Sequence, residues 1–481
     1  MKTGNAMQLG FYGLFLTLTF FGHGTGVQLP EPPPVNCFYN NWSGWTPCNP
    51  CTNMRWRSRG IEAFGQFKGQ PCQESLGESE ACVSNTPCAQ LPTANCASAD
   101  FQCGSGACIK KRLTCNYDFD CEDQTDEVDC ERMSRKPCGT RLLDSKDHGR
   151  TTLGQGINIF GSTPPKKLFY NDFFNGACQV VGSTGIRLPW NIAALNLETG
   201  AEKTVSTGVH ESGRNFVVKV LAESSYNIAG GLSFKYNKTR NVIKDIVEST
   251  ETGRNTFVRI NGKLQLATYR LRPRDLKLAN GFSKDLRSLP VEYEKGAYFD
   301  LIEDYGTHYP RSGRLGGEYD LIYVLNSDEI KTEWKAVVAK VFISVKGGDS
   351  ASTAAMEEQI NMDRQLSAET YQNWARSITN YPGLIYSERE PIYNIIPLDM
   401  PDANARVSNM KRAIADYVAE YNVCKCKPCH NNGTVVLIDG SCSCLCTHPY
   451  QGLACQNRKA AKVPPKGSAV CSGGVDEEEE C

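Results

Sequence analysis

Hydrophobic and polar positions alternate along two segments near the middle of the chain. In residues 226–236, Tyr226, Ile228, Leu232 and other apolar or glycine positions alternate with polar and small residues. Residues 258–266 alternate in the same way, with charged and amide side chains between the apolar ones. A period of two predicts β-strands. The first segment has the length of a membrane-spanning strand, ~9–11 residues, although the pattern by itself favours a half-buried strand of a soluble sheet.

A second pattern, of apolar residues three and four positions apart, predicts helices between and after these strands. Residues 353–367 also favour a helix, and Gly347-Gly-Asp-Ser350 predicts a turn before it. Residues 138–423 therefore mix helices and strands, which predicts an α+β domain. The helical spacing is carried by Val242, Ile243, Ile246 and Val247, and by Val407, Met410, Ile414, Val418 and Tyr421.

The cysteines divide the chain into small and large units. Twelve of the 23 lie between Cys37 and Cys130, and nine lie between Cys424 and Cys481. Cys138 and Cys178 stand alone near the start of the intervening segment, and we expect them to pair. Because small domains need disulfides and large ones do not, this layout predicts a multidomain protein with small disulfide-rich modules on either side of one large domain.

The ends of the chain and its charge add two expectations. Lys2, an apolar run at 11–21 and small residues up to Gly26 predict a signal peptide over 1–26, and hence a secreted protein; a retained signal anchor is the alternative. The formal net charge of −1 predicts neither nucleic-acid binding nor general attraction to anionic membranes. Residues 457–481 end in an acidic run, which predicts a solvated, disordered tail.

Residues 36–89 combine six cysteines with tryptophans and arginines. Trp42 and Trp45 precede Arg55, Arg57 and Arg59, a spacing that allows stacked cation–π layers between neighbouring strands. This segment resembles a thrombospondin type 1 repeat. The resemblance implies C-mannosylation of Trp42 and Trp45, against the alternative that both are purely structural. It also implies the disulfides Cys37–Cys72, Cys48–Cys82 and Cys51–Cys88.

Residues 95–131 hold six more cysteines and a dense acidic run. Oxygen ligands packed into about a dozen residues suit Ca²⁺, which takes six to eight of them; a solvated acidic loop is the alternative. The segment resembles a low-density-lipoprotein-receptor class A module, which implies a structural Ca²⁺ ion. The implied ligands are the side chains of Asn116, Asp120, Asp126 and Glu127 and the carbonyls of Leu113 and Asp118. The implied disulfides join Cys96, Cys108, Cys103, Cys121, Cys115 and Cys130.

One string in the large domain is diagnostic. Tyr298 is followed by the sequence Tyr305-Gly306-Thr307-His308-Tyr309, by Gly316 and Gly317, and by an apolar strand at 319–325. This string resembles the signature of the membrane attack complex/perforin family, and the order of the modules is similar to that of the terminal complement components. The resemblance implies a bent antiparallel sheet with helical clusters. It makes the paired glycines, which are free of the usual φ restriction, a hinge, although close packing at a strand bend also explains them.

The resemblance also implies a function and its partners. Two helical clusters, at about 204–256 and 327–373, would unroll into β-hairpins once neighbouring subunits satisfy their backbone groups in lipid. The chain would then be a non-enzymatic pore-forming subunit that joins earlier terminal complement components and copies of itself on a target cell membrane. Both clusters are shorter than the family pattern, so a non-lytic protein that caps the assembling complex is the alternative. His308 has no accompanying nucleophile or metal motif, which predicts a structural role.

Residues 425–456 resemble an EGF-like module, which implies the disulfides Cys426–Cys442, Cys429–Cys444 and Cys446–Cys455. The three remaining cysteines, at positions 424, 471 and 481, cannot all pair with one another. Sequons predict N-glycosylation at Asn237 and Asn432. A third sequon, at Asn41, adjoins Trp42, and its use is left open.

Overall fold

The computed structural model describes residues 28–88, 96–131, 138, 152–160, 164–181, 187–208, 233–234, 255–326, 338–438, 440–447 and 449–458. The predicted signal peptide, the helical pattern at 242–247, nearly all of the alternating segment at 226–236 and the acidic tail beyond 458 lie outside these residues. No helix among them is long and apolar enough to cross a membrane.

The strands and helices are as follows. The strands are β1 (Phe38–Tyr39), β2 (Met54–Ser58), β3 (Ile61–Ala63), β4 (Gly65–Gln66), β5 (Gly77–Ala81), β6 (Asp100–Gln102), β7 (Cys108–Lys110), β8 (Ile192–Gly208), β9 (Ser233–Phe234), β10 (Asn255–Leu271), β11 (His308–Asn326), β12 (Val338–Lys346), β13 (Gly383–Pro391), β14 (Thr434–Ile438), β15 (Ser441–Leu445), β16 (Tyr450–Gln451) and β17 (Asn457–Arg458). The α-helices are α1 (Asn280–Ser288), α2 (Lys295–Tyr305), α3 (Ser350–Asp363), α4 (Ala368–Ser377) and α5 (Ala403–Glu420). Short 3-10 turns lie at Lys111–Leu113, Thr125–Glu127, Thr152–Gly154, Ile392–Ile395 and Val423–Lys425.

A five-stranded antiparallel sheet forms the centre of the large domain. Its strands lie in the order β12, β11, β10, β8, and β13 also pairs with β11. Strand β11 is 19 residues long, so β13 covers its first half and β12 its second half. The predicted strand at 258–266 is the middle of β10, which is 17 residues long. This arrangement confirms an α+β domain with an antiparallel sheet.

Helices α1, α2 and α5 pack against the first half of the sheet in one continuous core. Helix α5 carries the predicted helical spacing, and its Met410 and Tyr417 are fully buried. The same core takes in Trp56 and Phe64 of the amino-terminal module and Leu437 of the carboxy-terminal module. Because apolar burial is the main favourable term in folding, these two modules are fixed parts of the molecule and not loosely tethered ones.

One local prediction needs correction. The helix expected over 353–367 is broken: α3 ends at Asp363, where Arg364 takes a left-handed conformation with φ 56°. A new helix begins after Ser367, whose hydroxyl accepts a hydrogen bond from the Thr370 amide. Ser is a preferred N-cap because its oxygen satisfies a free amide of the first turn, and this signal marks the break.

The predicted turn at 347–350 is confirmed. Gly347 and Gly348 have φ values of 74° and 87°, which side chains other than glycine rarely adopt. Asp349 then caps α3 by accepting a hydrogen bond from the Ser352 amide at 2.7 Å. The turn reverses the chain between β12 and the helix pair α3–α4, so that the pair lies back against the sheet.

Candidate functional site

The central sheet changes register at one level across four strands. Strand β10 shifts against both β11 and β8 between Gln265 and Ala267. Strand β11 shifts against β13 between Arg314 and Leu315. Extra residues in one strand of a pair bend that strand and increase its twist. Because the shifts lie beside Gly316, they mark the level at which the sheet bends.

The paired glycines of the signature are required here for space. Neither Gly316 nor Gly317 has a positive φ, so the expectation that they relieve a φ restriction is wrong. A Cβ atom on Gly316 would lie 1.9 Å from the Leu264 carbonyl oxygen, and one on Gly317 would lie 2.2 Å from Cδ1 of Ile378. The close-packing interpretation therefore has direct support, whereas a hinge stays a prediction.

A helix pair covers the second half of the sheet at this bend. Trp374 of α4 is fully buried, and its indole Nε1 donates a hydrogen bond to the Gly347 carbonyl at 2.9 Å. Its ring meets that of Tyr319 edge-to-face at 5.8 Å between centroids. Together with Met356 and Ile360 of α3, these residues form a separate core. The alternation and turn patterns in the sequence did not identify Trp374. The amphipathic pattern of the ten-residue helix α4 was the signal that could have found it.

The two regions predicted to unroll join strands that are already neighbours. Strands β8 and β10 run side by side as far as the pair Gly208 and Phe257, and β11 and β12 meet as far as Leu325 and Val338. Residues 209–232 and 235–254 of the first region lie outside the described part of the chain. The prediction of a helical cluster over 327–373 is only partly right, because strand β12 occupies Val338–Lys346 within it. The β-branched and aromatic sequence there favours a strand.

The signature string forms a tight junction between α2 and β11. Helix α2 ends at Tyr305, and Gly306 follows with φ 92°, where a Cβ atom would lie 2.8 Å from the Ile157 carbonyl oxygen. The Tyr305 hydroxyl donates to Asp285 at 2.8 Å, and the Thr307 side chain is fully buried. The string therefore fixes the angle between α2 and the sheet.

His308 serves this junction and has no catalytic environment. Its backbone amide donates to the Ile157 carbonyl at 2.9 Å, and its Nδ1 lies 2.8 Å from the Thr307 hydroxyl. Burial, with a contribution from the charge of Arg389, lowers the pKa of His308 to about 4. The ring is therefore neutral at physiological pH, which fits the predicted structural role.

The acidic loop brings together buried carboxylates that lack partners. The Oδ1 atoms of Asp120 and Asp126 are buried without a hydrogen bond, and the Asp120 amide donates to the other oxygen of Asp126 at 2.8 Å. Burial, then the charges of Asp118 and Asp126, raise the pKa of Asp120 to about 6 despite a hydrogen bond from Asn116. Buried carboxylates of this kind need a cation or a proton, so these two residues fit a bound cation.

Two other implied Ca²⁺ ligands, Asn116 and Glu127, make hydrogen bonds within the loop. The Asn116 side-chain amide donates to Asp120 Oδ2 at 3.0 Å, and its oxygen accepts from the Asp118 amide at 2.8 Å. Glu127 accepts from the amides of Asn116 and Tyr117, and so closes the loop on itself. The Asp118 carboxylate points to Arg187 of the large domain, and this use of Asp118 was missed by the sequence analysis.

A second group with metal-ligand spacing in this module has another explanation. Cys103, Cys121 and Asp123 lie close together, but the two sulfur atoms form a disulfide and cannot act as thiolate ligands. Asp123 accepts hydrogen bonds from Ser105 and Thr125 instead. The acidic loop is therefore the better candidate cation site of the described residues.

The tryptophans and arginines of the first module stack as predicted. Arg57 lies between the two indoles, with its guanidinium carbon 4.7 Å from the Trp42 centroid and 4.6 Å from that of Trp45. Arg55 and Arg59 extend the stack on either side. Each arginine also forms an ion pair with a glutamate from the neighbouring strand or loop. Stacking of this kind holds a module that has little core of its own.

Ten disulfides join the cysteines of the described residues. The module pairs are Cys37–Cys72, Cys48–Cys82, Cys51–Cys88, Cys96–Cys108, Cys103–Cys121, Cys115–Cys130, Cys426–Cys442, Cys429–Cys444 and Cys446–Cys455, and Cys138 pairs with Cys178. Every pairing that the sequence analysis gave is present. Cys424 is free and exposed, whereas Cys471 and Cys481 lie outside the described residues.

Comparisons with known families agree with this architecture. A MAC/Perforin domain matches residues 148–427, a low-density lipoprotein receptor domain class A matches 94–130, and a thrombospondin type 1 domain matches 40–88. These ranges overlap the segments 138–423, 95–131 and 36–89 of the sequence analysis, whose exact boundaries stay predictions. The chain belongs to the membrane attack complex/perforin family.

Curated relatives place the chain within that family. It is 43% identical to complement component C9 of Oncorhynchus mykiss, over 89% of this chain and 87% of that protein. It is 28% identical to the complement component C8 beta chain of Rattus norvegicus, over 92% of this chain and 85% of that one. It is 27% identical to complement component C7 of Mus musculus, over 88% of this chain and 55% of that protein.

Proposed function

We propose that this protein is a pore-forming subunit of the terminal complement pathway. The observation that carries the proposal is the long antiparallel sheet of a MAC/Perforin domain, in which β8 and β10 flank the first candidate hairpin region and β11 leads into the second. The similarity to complement C9 over most of both chains supports the same function. Membership of this family also makes the protein non-enzymatic.

The sheet supplies a template for the hairpins. Strands β8 and β10 already exchange ladder hydrogen bonds up to Gly208 and Phe257. Further residues can join this ladder in the same register without a new nucleation step. In lipid every N–H and C=O group must find a partner, because an unpaired one costs several kcal/mol. Growth of both hairpins from existing strands, with a neighbouring subunit on each side, would meet that requirement.

The helix pair α3–α4 would have to leave the sheet before the second hairpin grows. The pair packs over β12 through Met356 and Ile360, and Trp374 holds it at the bend beside Gly317. We infer that the glycine pair allows the sheet to straighten once the pair has moved. In this account the close packing at Gly317 keeps the soluble form closed.

The partners of the protein follow from its relatives. Components of the membrane attack complex are the expected partners, because the chain resembles complement C9, C8 beta and C7. In finer detail, we infer that it adds to earlier terminal components on a target cell and then polymerises with copies of itself. It would be secreted and would reach the membrane only during assembly.

We also propose that the acidic loop binds a structural Ca²⁺ ion. The unpartnered, buried oxygens of Asp120 and Asp126 support this assignment. Asn116, Glu127 and the carbonyls of Leu113 and Asp118 would complete the oxygen set that Ca²⁺ prefers. The ion would neutralise the acidic loop, and these residues would hold it without taking part in a reaction.

Two kinds of modification belong to the same proposal. Trp42 and Trp45 lie in the arginine stack on the module surface and would carry C-linked mannose. Asn432 is exposed in a turn with φ 57° and would carry an N-glycan. Asn237, the other glycosylation candidate, lies outside the described residues. Intact-mass measurement of the secreted protein would detect both modifications and the state of Cys424.

A dye-release assay on liposomes tests the main proposal. Liposomes carrying purified earlier terminal components would receive increasing amounts of the protein, and liposomes without those components would serve as the control. We expect release that rises with the amount of protein and that depends on the earlier components. Inhibition of the background release would instead identify a non-lytic protein that caps the complex, and would contradict pore formation.

A further inference from the structure

We propose that the Ca²⁺ ion of the acidic loop also fastens the receptor class A module to the large domain, so that ion binding and module docking are coupled. This inference rests on the calcium proposal above. It concerns residues 113–122, which supply implied ion ligands and also carry most of the contacts across the joint. The contacts of this segment lie in three places, at Arg187, Tyr170 and the start of α1. Arg112, directly before the segment, also donates to Asn175 Oδ1 at 3.1 Å.

The Arg187 contact joins the loop to the large domain through two parallel hydrogen bonds. Arg187 Nη1 lies 2.6 Å from Asp118 Oδ1, and Nη2 lies 2.9 Å from Oδ2. The two side chains are only 10% and 12% exposed. The guanidinium also stacks on Phe174 at 4.2 Å and donates through Nε to the Ala177 carbonyl. A buried pair with this geometry is specific, because a lysine could not reproduce the fork.

The Tyr170 contact is a hydrogen bond to the backbone of the loop. The Tyr170 hydroxyl donates to the Phe119 carbonyl at 2.7 Å, one residue after the carbonyl implied as an ion ligand. Around it, Phe173 of the large domain enters a small apolar core with Ile109 and Leu113 of the module. A hydrogen bond to a carbonyl requires the peptide plane to keep its direction, so this contact depends on the loop conformation.

The third contact caps a helix of the large domain from outside. Helix α1 has no side-chain cap of its own at Ala279. Instead, Glu122 of the module accepts a hydrogen bond from the Asn280 amide at 2.7 Å, and the Asn280 side chain donates to Ser105 at 3.0 Å. A carboxylate at a helix N-terminus satisfies a free amide and suits the helix dipole. Undocking would therefore expose the first turn of α1.

Loss of the ion would affect all three contacts together. Asp120 and Asp126 are buried with unpartnered oxygens, and Asp118 and Glu122 add further negative charge to the same loop. Arg187 and Lys277 of the large domain face this cluster, and their two positive charges do not balance the four carboxylates. Without a divalent cation the carboxylates repel one another, and the loop loses the conformation that presents Asp118, the Phe119 carbonyl and Glu122.

Thermodynamic linkage makes the coupling measurable as a change in Ca²⁺ affinity when the joint is altered. If the ion strengthens docking by a given factor, then docking must strengthen ion binding by the same factor. Removal of Arg187 should therefore weaken Ca²⁺ binding, although Arg187 is not a ligand. Simple electrostatics predicts the opposite sign, because removal of a positive charge near the site should strengthen the binding of a cation. The direction of the change separates the two explanations.

The experiment measures Ca²⁺ affinity of the full secreted chain by competition with a chromophoric chelator. We compare the wild type with Arg187→Met and with Tyr170→Phe, which removes one hydroxyl and changes no charge. Arg311→Met is the matched control, because Arg311 pairs with Glu390 on an exposed part of the sheet. We expect each joint variant to bind Ca²⁺ at least about fivefold more weakly, within the range usual for coupled sites, and the control to match the wild type.

Hydrogen exchange supplies a second readout that a folding defect would not imitate. In the wild type with excess chelator, we expect faster exchange of the Asn280 amide and its neighbours in the first turn of α1, with α2 and α5 unchanged. Unchanged affinity in both variants, or tighter binding by Arg187→Met, would overturn the coupling. Absence of Ca²⁺ binding by the wild type would overturn the calcium proposal as well, whereas pore formation is judged independently by dye release.

Discussion

The helix pair α3–α4 and the receptor class A module are both attached to the large domain, but different interactions hold them in place. At the bend, the helix pair α3–α4 is held by apolar and aromatic contacts around Trp374, with a single indole hydrogen bond. At the acidic module, the joint is a small apolar core surrounded by three polar contacts. These are a bidentate ion pair, a hydrogen bond from Tyr170 to a backbone carbonyl, and a carboxylate cap on α1. Apolar contacts do not depend on ions, whereas this polar joint depends on the charge of the loop.

The difference suggests a division of labour. In the proposed mechanism the helix pair is stable in solution and leaves the sheet as a unit, and a packed apolar surface can be exchanged for another one in an oligomer or in lipid. The acidic module must keep a fixed position, and a polar joint gives direction because its hydrogen bonds require specific geometry. Four predictions test this contrast, from the largest expected effect to the smallest.

Trp374→Ala should have the largest effect, because it removes the central side chain of the apolar joint. Truncation of a buried tryptophan costs about 3–5 kcal/mol through lost burial and the cavity left behind. We expect hydrogen exchange in α3 and α4 to accelerate while α2 and α5 stay protected. Tyr381→Ala is the control, since Tyr381 lies at the same corner but is 59% exposed. Unchanged protection of α3 and α4 in the Trp374 variant would show that the joint does not depend on this residue.

Gly316→Ala should destabilise the bend through backbone contact. The added Cβ would lie 1.9 Å from the Leu264 carbonyl oxygen, which belongs to the neighbouring strand and cannot rotate away. Overpacking of this kind costs about 1–3 kcal/mol. Gly200→Ala in β8 is the matched control, because nothing lies within 4 Å of its Cβ position. Thermal unfolding of both variants tests the claim, and equal midpoints would contradict it.

Asp300→Asn tests a polar contact that involves no ion. Asp300 of α2 lies against Ser79 of the thrombospondin module. Burial raises the pKa of Asp300 to about 6; the charges of Asp304 and Glu303 add to the rise, and a hydrogen bond from Ser79 opposes it. The folded state therefore holds this proton more tightly than the unfolded state, whose carboxyl has its ordinary pKa of 3.8. Stability falls as the pH rises from about 4 to about 6, and the full penalty persists above that window.

The substitution should remove that penalty. We expect Asp300→Asn to raise the free energy of unfolding at pH 7.4 by about 1–2 kcal/mol, a figure reduced because the group is partly solvated. The gain should shrink as the pH is lowered from 6 to 4. Denaturant unfolding across this pH range measures it, and a gain that does not vary with pH would refute the assignment.

Asn116→Asp should have the smallest effect on the stability of the calcium-loaded protein, and it should lower the stability of the ion-free module. The Asn116 amide now donates to Asp120 at 3.0 Å, and a carboxylate in its place would face Asp120 as a second anion. We expect Ca²⁺ affinity to rise about tenfold, or 1.4 kcal/mol, and the ion-free module to become less stable. Gln102→Glu adds the same charge on β6 and is the control. A similar gain in both variants would indicate a general charge effect.

The sequence predicted the parts of the site whose chemistry is local. Alternation found the middle of β10, and the signature string located the junction of α2 with β11. The acidic run located the loop that holds Asp120 and Asp126. Helix spacing found α5, whereas the helix expected over 353–367 ran past the end of α3 at Arg364, because a left-handed residue at a helix end leaves no mark in hydrophobic periodicity.

What the sequence determined by itself was therefore the list of modules, their disulfides and the signature, since each depends on residues close together in the chain. Tertiary structure alone decided how distant residues meet: Gly317 beneath Trp374, Arg187 against Asp118, and Glu122 at the start of α1. The physical reason is that these contacts join residues 57 to 158 positions apart in the chain, and no local pattern encodes which partner a buried charge or a missing side chain will face.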